Sequence, residues 1–202
     1  MSKKKIAIYG GTFNPPHIGH HEAALAFNNF IRPDELLIIP ASIPPHKDFS
    51  EDFSSRVRLL MCELAFSDIP GARVSDMEIQ RAGKSYTYLT LEELSGEDRE
   101  LYFLLGTDMF LTLDEWRYPE KIFSLCTICL IRRERDGDND KKIEDKKAYY
   151  SKKYGASVTE IKKNVIEISS SELREKIKAS LDVSEYLSPK LIEFIKNGGY
   201  YA

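Results

Sequence analysis

Gly10-Gly11-Thr12-Phe13-Asn14-Pro15-Pro16-His17-Ile18-Gly19-His20 stands between a short β-branched run, residues 5–9, and a helical stretch, residues 17–30. A buried strand that ends on glycines and hands over to a helix is the opening unit of a parallel α/β sheet. In such sheets ligands bind at the carboxyl ends of strands, where helix N-termini present N–H groups. Gly10 and Gly11 carry no Cβ, so the backbone can approach a phosphate closely. His17 and His20 share one face of a helix, and two imidazoles there can donate hydrogen bonds to a triphosphate. Either histidine alone reads as a cap or a solvent group. The whole strand–turn–helix setting is what points to an anion.

The stretch matches neither G-x-G-x-x-G nor G-x-x-x-x-G-K-[ST], so hydride transfer and ordinary kinase chemistry lose their usual marker. A zinc site built from His17, His20 and His21 lacks a carboxylate or cysteine at familiar spacing.

On either side the pattern continues. Pro33-Asp34 breaks the first helix, and residues 35–39 read as a second strand. Residues 41–52 form a loop. Ser54 or Ser55 caps a helix to about residue 66, with Val57, Leu60, Met61 and Leu64 on one face. Residues 72–79 are a candidate strand and 86–94 a short helix; 100–105 and 127–131 are strongly apolar strands. The charged segment 132–153 reads as a solvated loop running into a surface helix. Residues 164–168 restore a strand, 169–180 a capped helix, and 189–196 a final amphipathic helix stopped by Gly198-Gly199. Strands alternating with helices predict a single α/β domain over 1–202. Its expected form is a Rossmann-like, doubly wound parallel sheet with helices on both faces and a small C-terminal helical portion at about 169–202.

Composition narrows the partners. The chain has 202 residues, 42% hydrophobic and 30% charged, with net charge -3. An acidic balance argues against broad nucleic-acid binding, which needs a basic face to displace counterions. There is no apolar run of ~18 residues to span a membrane. The basic start is followed by only residues 6–9 before Gly10-Gly11, short of the ~7 apolar residues of a secretory signal. A cytoplasmic protein is expected. Cys62, Cys126 and Cys129 are an odd number, against a disulfide framework. Cys126 and Cys129 would face opposite sides of a strand, so core cysteines are expected. Asp136-Gly137-Asp138-Asn139-Asp140 opens like a calcium loop but lacks its closing glutamate.

Two more segments can handle anions. Ser169 and Ser170 sit where a strand becomes a helix, offering hydroxyls and N–H groups. Arg174 lies one turn in, with a planar, permanent cation suited to phosphate. In Ile43-Pro44-Pro45-His46-Lys47 two prolines stiffen the loop, so that His46 and Lys47 are presented.

With these residues in view, 10–20 resembles the signature of the nucleotidyltransferase superfamily with the T/H-x-G-H motif. Its wording is similar to that of the bacterial nicotinate-mononucleotide adenylyltransferase family. Ile168-Ser169-Ser170-Ser171-Glu172-Leu173-Arg174 resembles that family's second signature, and the resemblance spans nearly the whole chain. It implies ATP and nicotinate mononucleotide as substrates, with deamido-NAD and pyrophosphate as products. Gly10, Gly11, Thr12, Phe13, His17, His20, Ser169, Ser170 and Arg174 would then bind ATP. His17 would contact the α-phosphate region, and His20 and Arg174 the β- and γ-phosphates. Lys47 would hold the attacking phosphate of the mononucleotide. With His17, His20 and Arg174 it completes the expected catalytic set.

On the acceptor side, the resemblance places Tyr86 and Thr87 at the nicotinate carboxylate, Asp108 at the ribose and Trp116 stacked on the pyridine ring. Mg²⁺ is implied on the phosphates, with no dedicated protein metal site. The family's R-P-G is replaced by Arg132-Arg133-Glu134, leaving Arg132 and Arg133 both open as the residue near adenine. Preference for nicotinamide mononucleotide, and a phosphopantetheine acceptor as in related adenylyltransferases, also stay open at this point. Class I aminoacyl-tRNA synthetases share the H-I-G-H wording, but this chain is short and not basic. A silent nucleotide sensor would bind ATP without releasing pyrophosphate. The sequence leaves monomer and homo-oligomer undecided.

Overall fold

Strands and helices alternate as expected in the computed structural model, which describes residues 2–45, 54–132, 139–163 and 168–202. The elements are β1 (Lys4–Gly11), α1 (Ile18–Ile31), β2 (Glu35–Pro40), α2 (Ser55–Ala65), β3 (Ala72–Val74), α3 (Met77–Arg81), α4 (Thr87–Leu94) and β4 (Arg99–Gly106). There follow α5 (Thr107–Leu111), a 3₁₀ turn (Leu113–Glu115), α6 (Pro119–Leu125), β5 (Cys126–Arg132), α7 (Asp140–Tyr154), β6 (Val158–Lys162), α8 (Ser170–Lys178) and α9 (Pro189–Gly198). Among the described residues the strands form a six-stranded sheet in the order β3-β2-β1-β4-β5-β6. The chain divides into two compact units: Met1–Gly10, Ala26–Leu37 and Tyr86–Asn164 in the first, Gly11–Leu25, Ile38–Ser85 and Val165–Ala202 in the second.

In the first unit β1, β4, β5 and β6 run parallel, and Ile8, Phe103, Ile128 and Val158 lie in one row of the ladder. Strands covered on both faces read as unbroken apolar runs; Phe103, Leu104, Leu105 and Ile128, Cys129, Leu130 are all buried. Burial pushes the Cys129 thiol up to about 12 and lifts Cys126 as well. Such thiols act as small apolar side chains. Tyr150 of α7 is buried and donates its hydroxyl proton to the Phe110 carbonyl (2.8 Å) and to Asp114 (2.9 Å).

β6 was not expected. It is an edge strand, and in Val158-Thr159-Glu160-Ile161-Lys162 only Ile161 is fully buried. Glu160 accepts hydrogen bonds from Arg132 (3.2 Å) and Lys147 (2.7 Å). Charge on an edge strand hides its period. Of the strand expected at 164–168, residues 164–167 lie outside the described residues and Ile168 is not in a strand.

In the second unit α2, α8 and α9 close on one apolar cluster: Met61, Leu173, Leu191 and Ile195, with Ile168, Val183, Leu187 and Tyr201. α9 is capped at both ends. Ser188 accepts from the Leu191 N–H, Pro189 occupies the first turn, and Gly199 takes a left-handed φ of 62°, where glycine has no Cβ penalty. Two expectations are corrected here. Residues 72–79 are not one strand: pairing stops at Val74, the Ser75 hydroxyl accepts from the Met77 N–H, and Met77–Arg81 turns helical. Ser competes for local backbone bonds, and Ser75 breaks the strand that way. On α2 the buried face is Arg58, Met61 and Cys62, while Leu60 is 42% exposed.

Candidate functional site

The glycine-rich stretch lies at the end of β1, as expected. Phe13 takes a left-handed φ of 49° and is 1% exposed; the Asn14–Pro15 peptide is cis. The Phe13 ring packs edge-on to His20 (5.2 Å between centroids) and to Phe66 (5.6 Å). A Cβ on Gly11 would come within 2.8 Å of that ring. Gly11→Ala is therefore expected to lower stability by about 1–3 kcal/mol, because a ring held between two others has no room to retreat. A denaturation midpoint equal to wild type would show that the close approach does not matter.

His17 heads α1. Its carbonyl accepts from the His20 and His21 N–H groups (2.9 and 3.0 Å), while its own N–H donates to His20 Nδ1 (3.2 Å). This is half of a capping box, with histidine in place of the usual glutamate. In a neutral ring, an Nδ1 that accepts leaves the proton on Nε2. His20 is thereby set as an Nε2 donor, and the two imidazoles lie 3.7 Å apart between centroids. His17 is buried and His20 half-buried.

The second motif joins this turn directly. The Ser170 hydroxyl donates to the Pro15 carbonyl (3.0 Å), and Arg174 Nη1 donates to the Asn14 carbonyl (2.9 Å). The Tyr201 hydroxyl donates to the Asn14 side chain. Ser169 is the N-cap of α8. Its hydroxyl accepts from the Glu172 N–H, and both its hydroxyl and its N–H donate to the Glu172 carboxylate. That closed capping box organises the start of α8.

The Ser169 N–H, and then its hydroxyl, hold the Glu172 carboxyl below its usual range. A depressed carboxyl contributes stability above its unfolded value of about 4.3, and that stability is lost as pH falls through the lower folded value. Glu172→Gln is expected to flatten the loss of α8 order on acidification below about pH 4.3. Amide exchange at Glu172 and Leu173 reads it, and identical acid profiles would dismiss the linkage.

Arg58 was missed. Within α2 it resembles any surface cation, yet it is 0% exposed. Nη1 donates to the Thr12 carbonyl (2.8 Å), and Nη2 to the carbonyls of Ala41 (2.5 Å) and Ser42 (2.9 Å). Desolvation lowers its pKa, but a guanidinium stays charged. The only sequence signal is an arginine at a position of α2 adjoining Met61 and Cys62 on the buried face.

In the first unit, Tyr86 precedes α4 in extended conformation and Thr87 is its first residue; both are half-buried. Asp108 is exposed in α5, directly after β4. Trp116 follows the 3₁₀ turn and meets Phe103 of β4 edge-on at 6.5 Å. Arg117, also missed, lies 5.0 Å above the Tyr86 ring and 5.5 Å from that of Tyr118, with its Nη1 3.5 Å from the Tyr86 hydroxyl. It draws the neighbourhood of Trp116 to Tyr86. His46, Lys47 and Arg133 lie outside the described residues. Arg132 is paired with Asp140 and Glu160. No three His, Cys, Asp or Glu among the described residues are grouped to hold a metal ion, and no helix among them is long and apolar enough to cross a membrane.

The chain is similar to known proteins in sequence and in fold. A family model described as cytidylyltransferase-like matches residues 8–176. A protein of Clostridium botulinum (strain Alaska E43 / Type E3), named "Probable nicotinate-nucleotide adenylyltransferase", is 33% identical, with 98% of each chain covered. One of the same name from Caldicellulosiruptor bescii is 35% identical, again over 98% of each chain. In fold, the chain is similar to Plasmodium falciparum nicotinic acid mononucleotide adenylyltransferase complexed with NaAD. That match has a TM-score of 0.78 at 21% identity and covers 98% of this chain and 97% of that one. The chain belongs to the cytidylyltransferase-like family and, within it, to the nicotinate-nucleotide adenylyltransferases.

Proposed function

We propose that this chain, acting as one nucleotidyltransferase domain in the cytosol, transfers the adenylyl group of ATP to nicotinate mononucleotide, giving deamido-NAD and pyrophosphate. The observation that carries the reading is the paired turn in the second unit. There His20 is set as a donor at the head of α1, while Arg174 and Ser170 of α8 are bonded to the carbonyls of Asn14 and Pro15. Helix N-termini, imidazole donors and a guanidinium form a cradle for a polyanion.

The chemistry asks for nothing else. The nucleophile is an already ionised phosphate oxygen of the mononucleotide, so no general base is required. It forms a bond to the α-phosphorus of ATP in line with the departing oxygen, and that P–O bond breaks to release pyrophosphate. Catalysis consists of orienting two anions and stabilising charge as it moves to the leaving group. His17 serves the α-phosphate, His20 and Arg174 the β- and γ-phosphates, and Lys47 the attacking phosphate. Imidazoles, hydroxyls and a guanidinium suit phosphate oxygens rather than a cation, so Mg²⁺ would be held by ATP phosphates and water instead of by side chains of this chain. When bound, it neutralises phosphate charge.

Tyr86, Thr87, Asp108 and Trp116 take the pyridine ring and its ribose. The Arg117 guanidinium over Tyr86 favours a ring bearing a carboxylate over one bearing an amide, since a cation attracts an anion more than a neutral group. Pyrophosphate release with ATP and nicotinate mononucleotide, against nicotinamide mononucleotide and phosphopantetheine, tests the assignment. The expected order has nicotinate mononucleotide first. Faster release with phosphopantetheine would move the acceptor outside the pyridine class.

A further inference from the structure

Arg58 belongs to none of the motifs that point to the reaction, yet among the described residues it is one of the largest side chains with essentially no exposed surface. Burying a guanidinium is expensive unless its donors are satisfied; an apolar side chain would fill an ordinary place in α2 more cheaply. Where its donors go is informative. All three acceptors are main-chain carbonyls just beyond strand ends: Thr12 after β1, and Ala41 and Ser42 after β2. The same two segments are joined by Ala41 N–H to the Gly11 carbonyl (2.9 Å), and Ser42 N–H is taken by the Ser85 hydroxyl (2.8 Å).

In a planar trans peptide the C=O and N–H point in opposite directions. Drawing three carbonyls onto one guanidinium therefore fixes where the N–H groups of Phe13, Ser42 and Ile43 point. Thr12 and Phe13 lie in the turn assigned to ATP. Ala41 and Ser42 lead into Pro44-Pro45 and onward to Lys47.

We propose that Arg58 is a positioning residue for both substrates, a buried brace that holds the ATP turn and the start of the mononucleotide-phosphate loop in one fixed relation. This rests on the adenylyl-transfer reading above. A lysine keeps the charge but lacks the planar fork that reaches several carbonyls at once; a methionine keeps the bulk and bonds none of them.

Steady-state kinetics of wild type, Arg58→Lys and Arg58→Met, taken well below each melting temperature, test the brace. Arg58→Lys is expected to lose on the order of 10-fold in kcat/KM for ATP and for the mononucleotide together, with Arg58→Met losing more. A residue that only stabilises the fold would lower the melting temperature and leave kcat and both KM values unchanged. That result overturns the proposal, as does a loss confined to one substrate. Amide exchange gives a readout independent of turnover: faster exchange at Phe13 and Ile43 in Arg58→Lys supports the brace, and unchanged exchange there overturns it. If wild type releases no pyrophosphate with any acceptor, the adenylyl-transfer reading fails, and the exchange comparison alone decides for Arg58. If Arg58→Met does not fold, Arg58→Lys carries both measurements.

Discussion

Replacing His20 by alanine is expected to lower kcat by on the order of 10²-fold or more while leaving KM for ATP within a few-fold of wild type. One hydrogen bond, 3.2 Å long, sets the ring. His20 Nδ1 takes the His17 N–H, so the neutral ring can present only Nε2–H to a ligand. A donor locked in that state needs no reorganisation when negative charge builds on the departing pyrophosphate, and preorganised donors of this kind count most in the transition state. The loss should therefore appear equally in kcat and kcat/KM. Alanine also removes the edge contact with Phe13 and leaves the His17 N–H without its acceptor. A stability loss of about 1 kcal/mol is expected from that bond, so turnover must be compared well below the melting temperature. A variant with unchanged kcat would remove His20 from the catalytic set. A rise in KM with kcat intact would make it a ground-state contact.

What was legible in the sequence follows from how each residue does its work. β4 and β5 are covered on both faces and announce themselves as apolar runs, and the 10–20 stretch carries its geometry in glycines, prolines and paired histidines. The Ser169 cap of α8 was legible because caps at a helix start have fixed spacing. The edge strand β6 was not, since its charges serve pairings with Arg132 and Lys147 rather than a period. Arg58 was hidden for a deeper reason. Its partners are backbone carbonyls from two distant segments, and a main-chain acceptor has no letter in the sequence. Arg117 was overlooked for the same kind of reason: its stacking on Tyr86 joins residues 31 apart. Pattern reading finds groups that act through their own identity. Groups that act by shaping another segment's backbone need the fold.

Arg174 is expected to combine both kinds of action in one side chain, and its replacement carries the second large expected effect. Among the described residues its guanidinium donates to the Asn14 carbonyl and to the Ser171 hydroxyl (3.2 Å). A guanidinium has more donors than those bonds use, so the rest of the fork is available to phosphate oxygens while the bond to Asn14 fixes its plane. Arg174→Ala is expected to reduce kcat/KM for ATP by on the order of 10²–10³-fold, with KM for the mononucleotide moving only a few-fold. Arg174→Lys restores the charge but not the planar fork, so it should recover only part of the loss. The comparison separates two causes. If the residue supplied charge alone, lysine would rescue almost fully. If it served only to pin the Asn14 carbonyl, the alanine variant would weaken both substrates alike through a loosened turn, and its deficit would track its drop in melting temperature. A deficit specific to ATP, unrescued by lysine and larger than the stability change explains, is the signature of a guanidinium held in place by one loop and aimed at the triphosphate of the substrate.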